Sequence, residues 1–276
     1  MNAIALSVQP SLSRPLHEFL WFAQRQVAAC LFGILLLGAL LFTRTWESDA
    51  ILSRGDFLFL FALSLQAALL ALRLEHPREV AVILVFHLLA TLMEWFKTSP
   101  AIGSWTYPAE GVIFRVYQVP LFAGFLYSAV GSYIARAWRL FDLRFTGYPP
   151  LWLTAILATL AYTNFFTHHV TVDIRWWLIG ASFLLFGRTR VDFQLGSRRL
   201  SLPLLSGLLA TASAIWIAEN LGTWARAWVY PGQEDAWTPV SLQKFWAWYL
   251  LMTLSFVLVS LLHIRKLSPG PAAREE

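Results

Sequence analysis

Two glutamates lie near the ends of long apolar stretches, and the same aromatic motif follows each of them. Glu94 precedes Trp105-Thr106-Tyr107-Pro108, and Glu219 precedes Trp228-Val229-Tyr230-Pro231. A pair of carboxyl groups in apolar surroundings can hold different protonation states, one acting as acid and one as base. The pattern therefore predicts acid–base catalysis by Glu94 and Glu219. The alternative is structural, with each glutamate bonding an indole or a loop amide and holding the turn.

The other candidate site residues lie near these glutamates or near the end of the fifth apolar stretch. Tyr107 and Tyr230 are predicted proton relays, and His168 and His169, which follow the fifth apolar stretch, are further catalytic candidates. Anchoring at the membrane interface is the alternative for the tyrosines and tryptophans. The predicted substrate-binding side chains are Trp105, Trp228, Asn164, Asn220 and His87.

A metal site is the less favoured interpretation of the histidines. His169 and Asp173 are four residues apart and share a helix face, a spacing that a metal or a proton relay allows. Adjacent histidines point about 100° apart on a helix, and no HExxH spacing supplies further ligands. We therefore predict neither metal nor cofactor. The single cysteine, Cys30, excludes an intramolecular disulfide.

The composition is that of a multi-pass membrane protein. Of 276 residues, 58% are hydrophobic and only 13% are charged, and the mean hydropathy is +0.58. Soluble domains carry about 25% charged residues. A chain with so few charges cannot cover a water-facing surface, which excludes a soluble enzyme and a nucleic-acid binder. Membrane lipids, together with a hydrophobic small-molecule ligand, are the expected partners.

Eight apolar stretches predict an all-α, polytopic membrane helix bundle, because a spanning helix needs about 20 apolar residues. The first can extend back to Leu20 if Arg25 reaches the headgroups. The sixth is short and crosses only if it includes residues 170–175. The predicted spans are Val27–Phe42, Phe57–Leu74, Val80–Phe96, Val119–Trp138, Pro150–Phe166, Trp176–Gly187, Leu202–Leu221 and Phe245–Ile264.

Charge distribution predicts the orientation of the bundle. Most of the 21 Lys and Arg residues lie in the terminal segments and the even-numbered loops, and such loops are cytoplasmic. Both termini are therefore predicted to be cytoplasmic in a bacterial inner membrane, with the glutamates near the outer face. Residues 1–26 are predicted to form a cytoplasmic or interfacial segment, 27–267 a single membrane domain and 268–276 a disordered tail.

Repetition of the glutamate and its Trp-x-Tyr-Pro motif predicts an internal duplication. The two copies are about half the chain length apart. If the sixth stretch crosses, both copies face the same side, and the halves, about 20–140 and 148–267, form two parallel four-helix repeats about an axis along the membrane normal. If it does not cross, the copies lie on opposite faces.

Several sequence blocks resemble the bacterial domain-of-unknown-function 817 family, the YoaT-like membrane proteins. The resemblance extends over nearly the whole chain, roughly Phe19 to Leu267, and implies a membrane topology without an activity. The blocks are 93–97 with 105–108, then 166–169, 218–220, 228–233 and 244–256.

A more local pattern is similar to membrane carotenoid hydratases and lycopene cyclases. It comprises a glutamate at a helix end, Gly103-x-Trp105-x-Tyr107, and Val119-Pro120 at the next helix. The similarity implies protonation of a polyene lipid by the glutamates, with the tryptophans forming the wall around a carbocation. The paired glutamates that the cyclases carry after the proline are missing, because Leu121 and Phe122 stand there.

Three functions fit these residues. The first is acid–base chemistry on an isoprenoid-like membrane lipid. The second is proton-coupled transport of a small molecule, in which the glutamates couple the proton. The third is a non-catalytic lipid-binding or assembly role.

Overall fold

The computed structural model describes residues 14–46, 51–108, 110–196 and 198–262, and it is mostly helical, with 66% helix. Each apolar stretch of the sequence forms a helix, as predicted. The eight α-helices of the described ranges are α1 (Arg14–Phe42), α2 (Arg54–Ala71), α3 (Pro77–Lys97), α4 (Phe122–Leu140), α5 (Leu151–Thr167), α6 (Arg175–Phe186), α7 (Leu204–Trp224) and α8 (Leu242–Leu262). The predicted tail 268–276 lies outside the described residues.

Five of these helices, α1, α2, α3, α7 and α8, are long and apolar enough to cross a membrane. Helices α5 and α6 have 17 and 12 residues, fewer than the usual length of about 20. Helix α4 buries polar side chains, among them Ser128, Ser132 and Arg136. Length and composition thus support five of the eight predicted spans.

Helix α1 begins before the predicted start at Val27. Its Arg25 does not extend away from the protein: Nη1 donates to the carbonyl of Leu140 at 2.7 Å, and the guanidinium lies 4.6 Å from the Trp21 ring. Carbonyls at a helix end lack partners within the helix. Arg25 therefore supplies a hydrogen-bond donor to a carbonyl at the end of α4.

Five short strands within the described residues make the all-α prediction incomplete. One antiparallel pair follows α3. The other three strands form an antiparallel sheet of order β3-β4-β5. Strand β3 lies in the connection between α4 and α5, and β4 and β5 lie in the connection between α6 and α7. The strands are β1 (Arg115–Val116), β2 (Val119–Pro120), β3 (Arg144–Thr146), β4 (Arg190–Leu195) and β5 (Arg198–Pro203).

The end of the bundle opposite this sheet brings together loops that are far apart in sequence. Lys97, the last residue of α3, lies 2.8 Å from His169 just after α5 (Nζ to Nε2). Asn220 near the end of α7 accepts a hydrogen bond from the backbone N–H of Val240, just before α8, at 2.9 Å. The two Trp-x-Tyr-Pro loops lie at this end, because one follows α3 and the other follows α7.

Small residues on α4 let α3 approach closely. A Cβ atom on Gly124 would overlap the imidazole of His87. Further along the same pair of helices, Glu79 accepts a hydrogen bond from Arg139 Nε at 2.9 Å. This packing sets the register in which Glu94 on α3 faces α4.

Candidate functional site

Glu94 is 1% exposed and lies in a cluster of three hydrogen-bond donors. Its Oε2 accepts from Trp105 Nε1 at 2.9 Å and from the Tyr107 hydroxyl at 2.8 Å, and its Oε1 accepts from the Tyr127 hydroxyl at 2.6 Å. The first two donors belong to the motif that follows α3, and Tyr127 belongs to α4. The buried carboxyl group is therefore bound by aromatic side chains and not by a cation.

Glu219 has the same arrangement in the second half of the chain and is 5% exposed. Its Oε1 accepts from Trp228 Nε1 at 3.1 Å and from the Tyr230 hydroxyl. The Trp228 ring packs against Gly222, where a Cβ would overlap it. The indole of Trp248 on α8 also lies next to Glu219, in the position that Tyr127 has beside Glu94.

The two motifs contact each other. Thr106 and Val229, the central residues of the two motifs, form an antiparallel bridge with reciprocal N–H to carbonyl bonds of 2.9 Å. The Trp105 and Tyr230 rings meet edge to face, with centroids 6.0 Å apart. Each glutamate takes its motif donors from its own half, and the aromatic residues of both halves form one layer.

A cavity of about 280 Å³ lies beside this layer. Its walls come from the ends of α3 and α5, the starts of α6 and α8, α4 and both motif loops. Tyr127 and Tyr230, which donate to the two different glutamates, both line it. The lining residues are Met93, Lys97, Ser104, Trp105, Tyr127, Phe165, His168, His169, Arg175, Tyr230, Ser241, Gln243, Lys244, Ala247, Trp248 and Leu251.

The two histidines share Lys97 as their hydrogen-bond partner. Nδ1 of His168 lies 2.7 Å from the carbonyl of Asn164, which only accepts, so this nitrogen carries the proton. Its Nε2 then accepts from Lys97 Nζ at 3.3 Å, and His169 Nε2 accepts at 2.8 Å. Burial and the charge of Lys97 lower the pKa of His169 to about 4. For His168, burial also lowers the pKa, as does the charge of Lys97, against the raising effect of the Asn164 bond.

The tyrosines of the two motifs stay protonated at neutral pH. Burial, the charge of Glu94 and the hydrogen bond to it raise the pKa of Tyr107 well above its ordinary value. Burial, the charge of Glu219 and its hydrogen bond do the same to the pKa of Tyr230. Each phenol is therefore a neutral hydrogen-bond donor to its carboxyl group.

Four of the five predicted substrate-binding residues do not line the cavity. Asn164 closes the α5–α6 connection, donating to Asp173 Oδ1 at 3.0 Å and accepting from the Ile174 N–H at 3.2 Å. Asn220 links α7 to the start of α8, and His87 packs against α4. Trp228 does not line the cavity either, and its Nε1 donates a hydrogen bond to Glu219.

The residues that were considered for a metal site have other partners in the structure. Lys97 donates to both imidazoles, and Asp173 pairs with Arg175 at 3.2 Å. Within the described ranges, no group of three or more His, Cys, Asp or Glu side chains is placed to hold a metal ion.

Sequence reasoning missed five residues of the site: Lys97, Tyr127, Arg175, Lys244 and Trp248. Lys97 and Lys244 stand at helix ends, where a cation is usually an interfacial anchor. For Lys97, the signal in the sequence was its closeness to Glu94; Lys244 had no such signal. Tyr127 and Trp248 reach the glutamates only through packing of the following helix.

These features define a helical protein with several membrane-length apolar helices and two buried carboxyl groups, each bonded to a tyrosine that lines one cavity. The chain belongs to the DUF817 family, described as a protein of unknown function, whose model matches residues 18–256. It is 36% identical to the uncharacterized protein YoaT of Bacillus subtilis (strain 168) over 264 residues, which cover 95% of this chain and 98% of that protein. The predicted family resemblance is thereby confirmed.

A solved structure overlaps part of the fold. The crystal structure of a cross-linked MvINS trimer covers 71% of this chain and 98% of its own, with a TM-score of 0.46 and 16% identity.

Proposed function

We propose that this protein carries out acid–base chemistry on a membrane lipid, with Glu94 and Glu219 as the pair that transfers protons. One observation carries the proposal: the two carboxyl groups reach the same cavity, each through one tyrosine that lines it. Tyr127 donates to Glu94 at 2.6 Å, and Tyr230 donates to Glu219. Such a connection suits a proton relay between a buried acid and a bound substrate.

The proposed reaction is the movement of a double bond. The protonated glutamate gives its proton, through its tyrosine, to one carbon of the alkene. The positive charge then lies on the other alkene carbon. The ionised glutamate, through the other tyrosine, removes a proton from the next carbon along the chain, and the new double bond forms between that carbon and the cationic one. The substrate is isomerised, protons balance, and no co-reactant is needed. Rings of the cavity wall, including Trp105 and Trp248, stabilise the positive charge that develops on carbon.

The arrangement of the halves belongs to the same proposal. Pairing of Thr106 with Val229 joins equivalent positions of the two motifs, which supports two parallel repeats over about 20–140 and 148–267. Arginines such as Arg188 and Arg190 lie at the sheet end of the bundle, which supports a cytoplasmic sheet end and a cavity near the outer face of a bacterial inner membrane.

Deuterium incorporation tests the proposal on a mixture of lipids, so the substrate can be found in the same experiment. Purified protein in detergent is incubated with a total lipid extract in D₂O, and lipids that gain deuterium at carbon are identified by mass spectrometry. Glu94→Gln and Glu219→Gln should each reduce incorporation by about 10²-fold, the usual scale for loss of a general acid or base. Their unfolding temperatures should stay close to that of the wild type, since the amide keeps an acceptor oxygen.

The matched control is Glu110→Gln, at an exposed position of the loop after α3. It should incorporate deuterium like the wild type. Full incorporation by either site variant would contradict the proposal and leave the structural role. In that role Glu94→Ala should lower the free energy of unfolding by about 1–3 kcal/mol, because its three donors lose their acceptor.

Proton-coupled transport is a second candidate, favoured by buried polar groups of α4 that lie away from the cavity, beside the connection between α2 and α3. Ser132 donates to Glu75 at 2.5 Å, and Arg136 lies 3.7 Å from Glu75. The experiment in detergent separates the two functions, because chemistry on a lipid needs no membrane gradient and coupled uptake does.

A further inference from the structure

The charged side chains that line the cavity are all cationic: Lys97, Arg175 and Lys244. Arg175 is paired with Asp173 at 3.2 Å. Neither lysine forms an ion pair within 4.0 Å in the ranges that the structure describes, although Lys97 is only 5% exposed. Buried cations are normally paired, because a desolvated charge without a partner is costly.

Lys97 keeps one donor for a ligand. An ammonium group has three N–H donors. Two of them point to the imidazoles of His168 and His169 at 3.3 and 2.8 Å, and the third has no partner among the described residues. Since Lys97 lines the cavity, a ligand there can accept this third bond.

Lys244 is separated from the carboxyl groups by the aromatic layer. Its Nζ lies 4.1 Å from the centroid of the Tyr230 ring and 5.2 Å from that of Trp105. The polar atoms of these two rings are bonded to Glu219 and Glu94, respectively. The glutamates attract Lys244 at longer range, and Lys244 itself lines the cavity.

The three cations repel one another across the cavity. Lys97 interacts unfavourably with Lys244 and Arg175, and favourably with Asp173 and Glu94. An anion held between them would relieve this repulsion and accept charge-assisted hydrogen bonds. Neutral or cationic groups would not.

We propose that the cavity binds the oxyanion headgroup, phosphate or carboxylate, of an amphiphile, with Lys97, Lys244 and Arg175 on the headgroup. The apolar part lies against Met93, Phe165 and Leu251, which line the same cavity. This inference rests on the proposed function in one respect, that the amphiphile is the lipid on which the glutamates act. It narrows the substrate class to anionic lipids.

Binding of dodecyl phosphate to the purified full-length protein in dodecyl maltoside tests the site. The apparent Kd, from titrations of the unfolding temperature, should be at least about tenfold lower for dodecyl phosphate than for dodecanol, and dodecanoate should resemble the phosphate. Lys97→Met and Lys244→Met should each raise the Kd for dodecyl phosphate about tenfold or more. The control Arg115→Met, an exposed cation of β1 outside the cavity lining, should leave it unchanged.

Equal affinities for dodecyl phosphate and dodecanol in the wild type would overturn the proposal, and so would lysine variants that match Arg115→Met. Inorganic phosphate that binds as tightly as dodecyl phosphate would keep the anion site but overturn the amphiphile as its source. If a lysine variant fails to fold, the wild-type comparison of the ligands still decides.

The glutamate variants separate this inference from the proposed function. Glu94→Gln should still bind dodecyl phosphate at least about tenfold more tightly than dodecanol, because the substitution removes no cation from the cavity lining. Headgroup-dependent binding without deuterium incorporation would contradict the proposed acid–base chemistry and support the anion site. Incorporation into neutral lipids alone would support the chemistry and contradict the anion site.

Discussion

At the scale of single residues, His169 gives the site a dependence on pH. Its Nε2 accepts a hydrogen bond from Lys97, and its pKa is about 4, against about 6.5 in an unfolded chain. Between these values the unfolded state binds more protons, so the stability of the fold decreases as the pH falls through this window.

We therefore expect the unfolding temperature in detergent to fall between about pH 7 and about pH 4.5, and to fall less in His169→Gln. The control His17→Gln, at an exposed position of α1, should retain the wild-type pH profile. If His169→Gln keeps the full wild-type dependence, the imidazole does not titrate as its contact with Lys97 requires.

Residue type and repetition made part of the site predictable. Glu94 and Glu219, with their Trp and Tyr donors, stand out because the motif occurs twice and a carboxylate in an apolar helix is rare. Tyr127 carries no such signal, since it reaches Glu94 only because small residues of α4 allow α3 to come close. The role of Lys97 depends on His168 and His169, which are distant in sequence.

At the scale of the elements, one glycine of α7 determines where an aromatic donor can lie. A methyl group on Gly222 would overlap the Trp228 ring, and the ring cannot move without losing its bond to Glu219. We expect Gly222→Ala to lower the free energy of unfolding by about 1–3 kcal/mol, as overpacking does. Urea or thermal unfolding in detergent measures the difference.

Gly207→Ala on the same helix is the matched control. Nothing lies within 4 Å of a Cβ at Gly207, so alanine there should stabilise the helix by up to about 1 kcal/mol. Equal stability of the two variants would mean that Trp228 has room to shift, and its placement on Glu219 would not depend on Gly222.

The helices were the most predictable elements, because long apolar stretches bounded by polar loops leave few alternatives. Helix α6 begins at Arg175 and does not include residues 170–174, since Asn164 and Asp173 hold that segment in a turn. The three-stranded sheet was missed because β3 belongs to one connection between helices and β4 and β5 to another. The residues of β3 alone do not indicate this distant pairing.

At the scale of the whole molecule, both ends of the described chain lie beside the sheet. Glu18 in α1 pairs with Arg198 of β5. Ser260 near the end of α8 lies 2.9 Å from the hydroxyl of Tyr148, which precedes α5. The cavity is at the opposite end. The two ends of the described chain, Arg14 and Leu262, thus lie at the same end of the bundle, and the location of both termini on one side of the membrane stays a prediction.

The arrangement predicts which positions share a compartment. With Cys30→Ser as background, we expect Ala101→Cys, Thr171→Cys and Asp235→Cys, all exposed at the cavity end, to react with a membrane-impermeant maleimide in intact cells. Arg188→Cys at the sheet end should react only after the membrane is permeabilised. The reason is charge: arginine-rich connections stay in the cytoplasm.

Labelling of Arg188→Cys alone would mean that the orientation is the inverse of the predicted one, with the two repeats still parallel. Labelling of Ala101→Cys without Asp235→Cys would place the two motif loops on opposite faces, and the cavity that Tyr127 and Tyr230 line together would be lost with it.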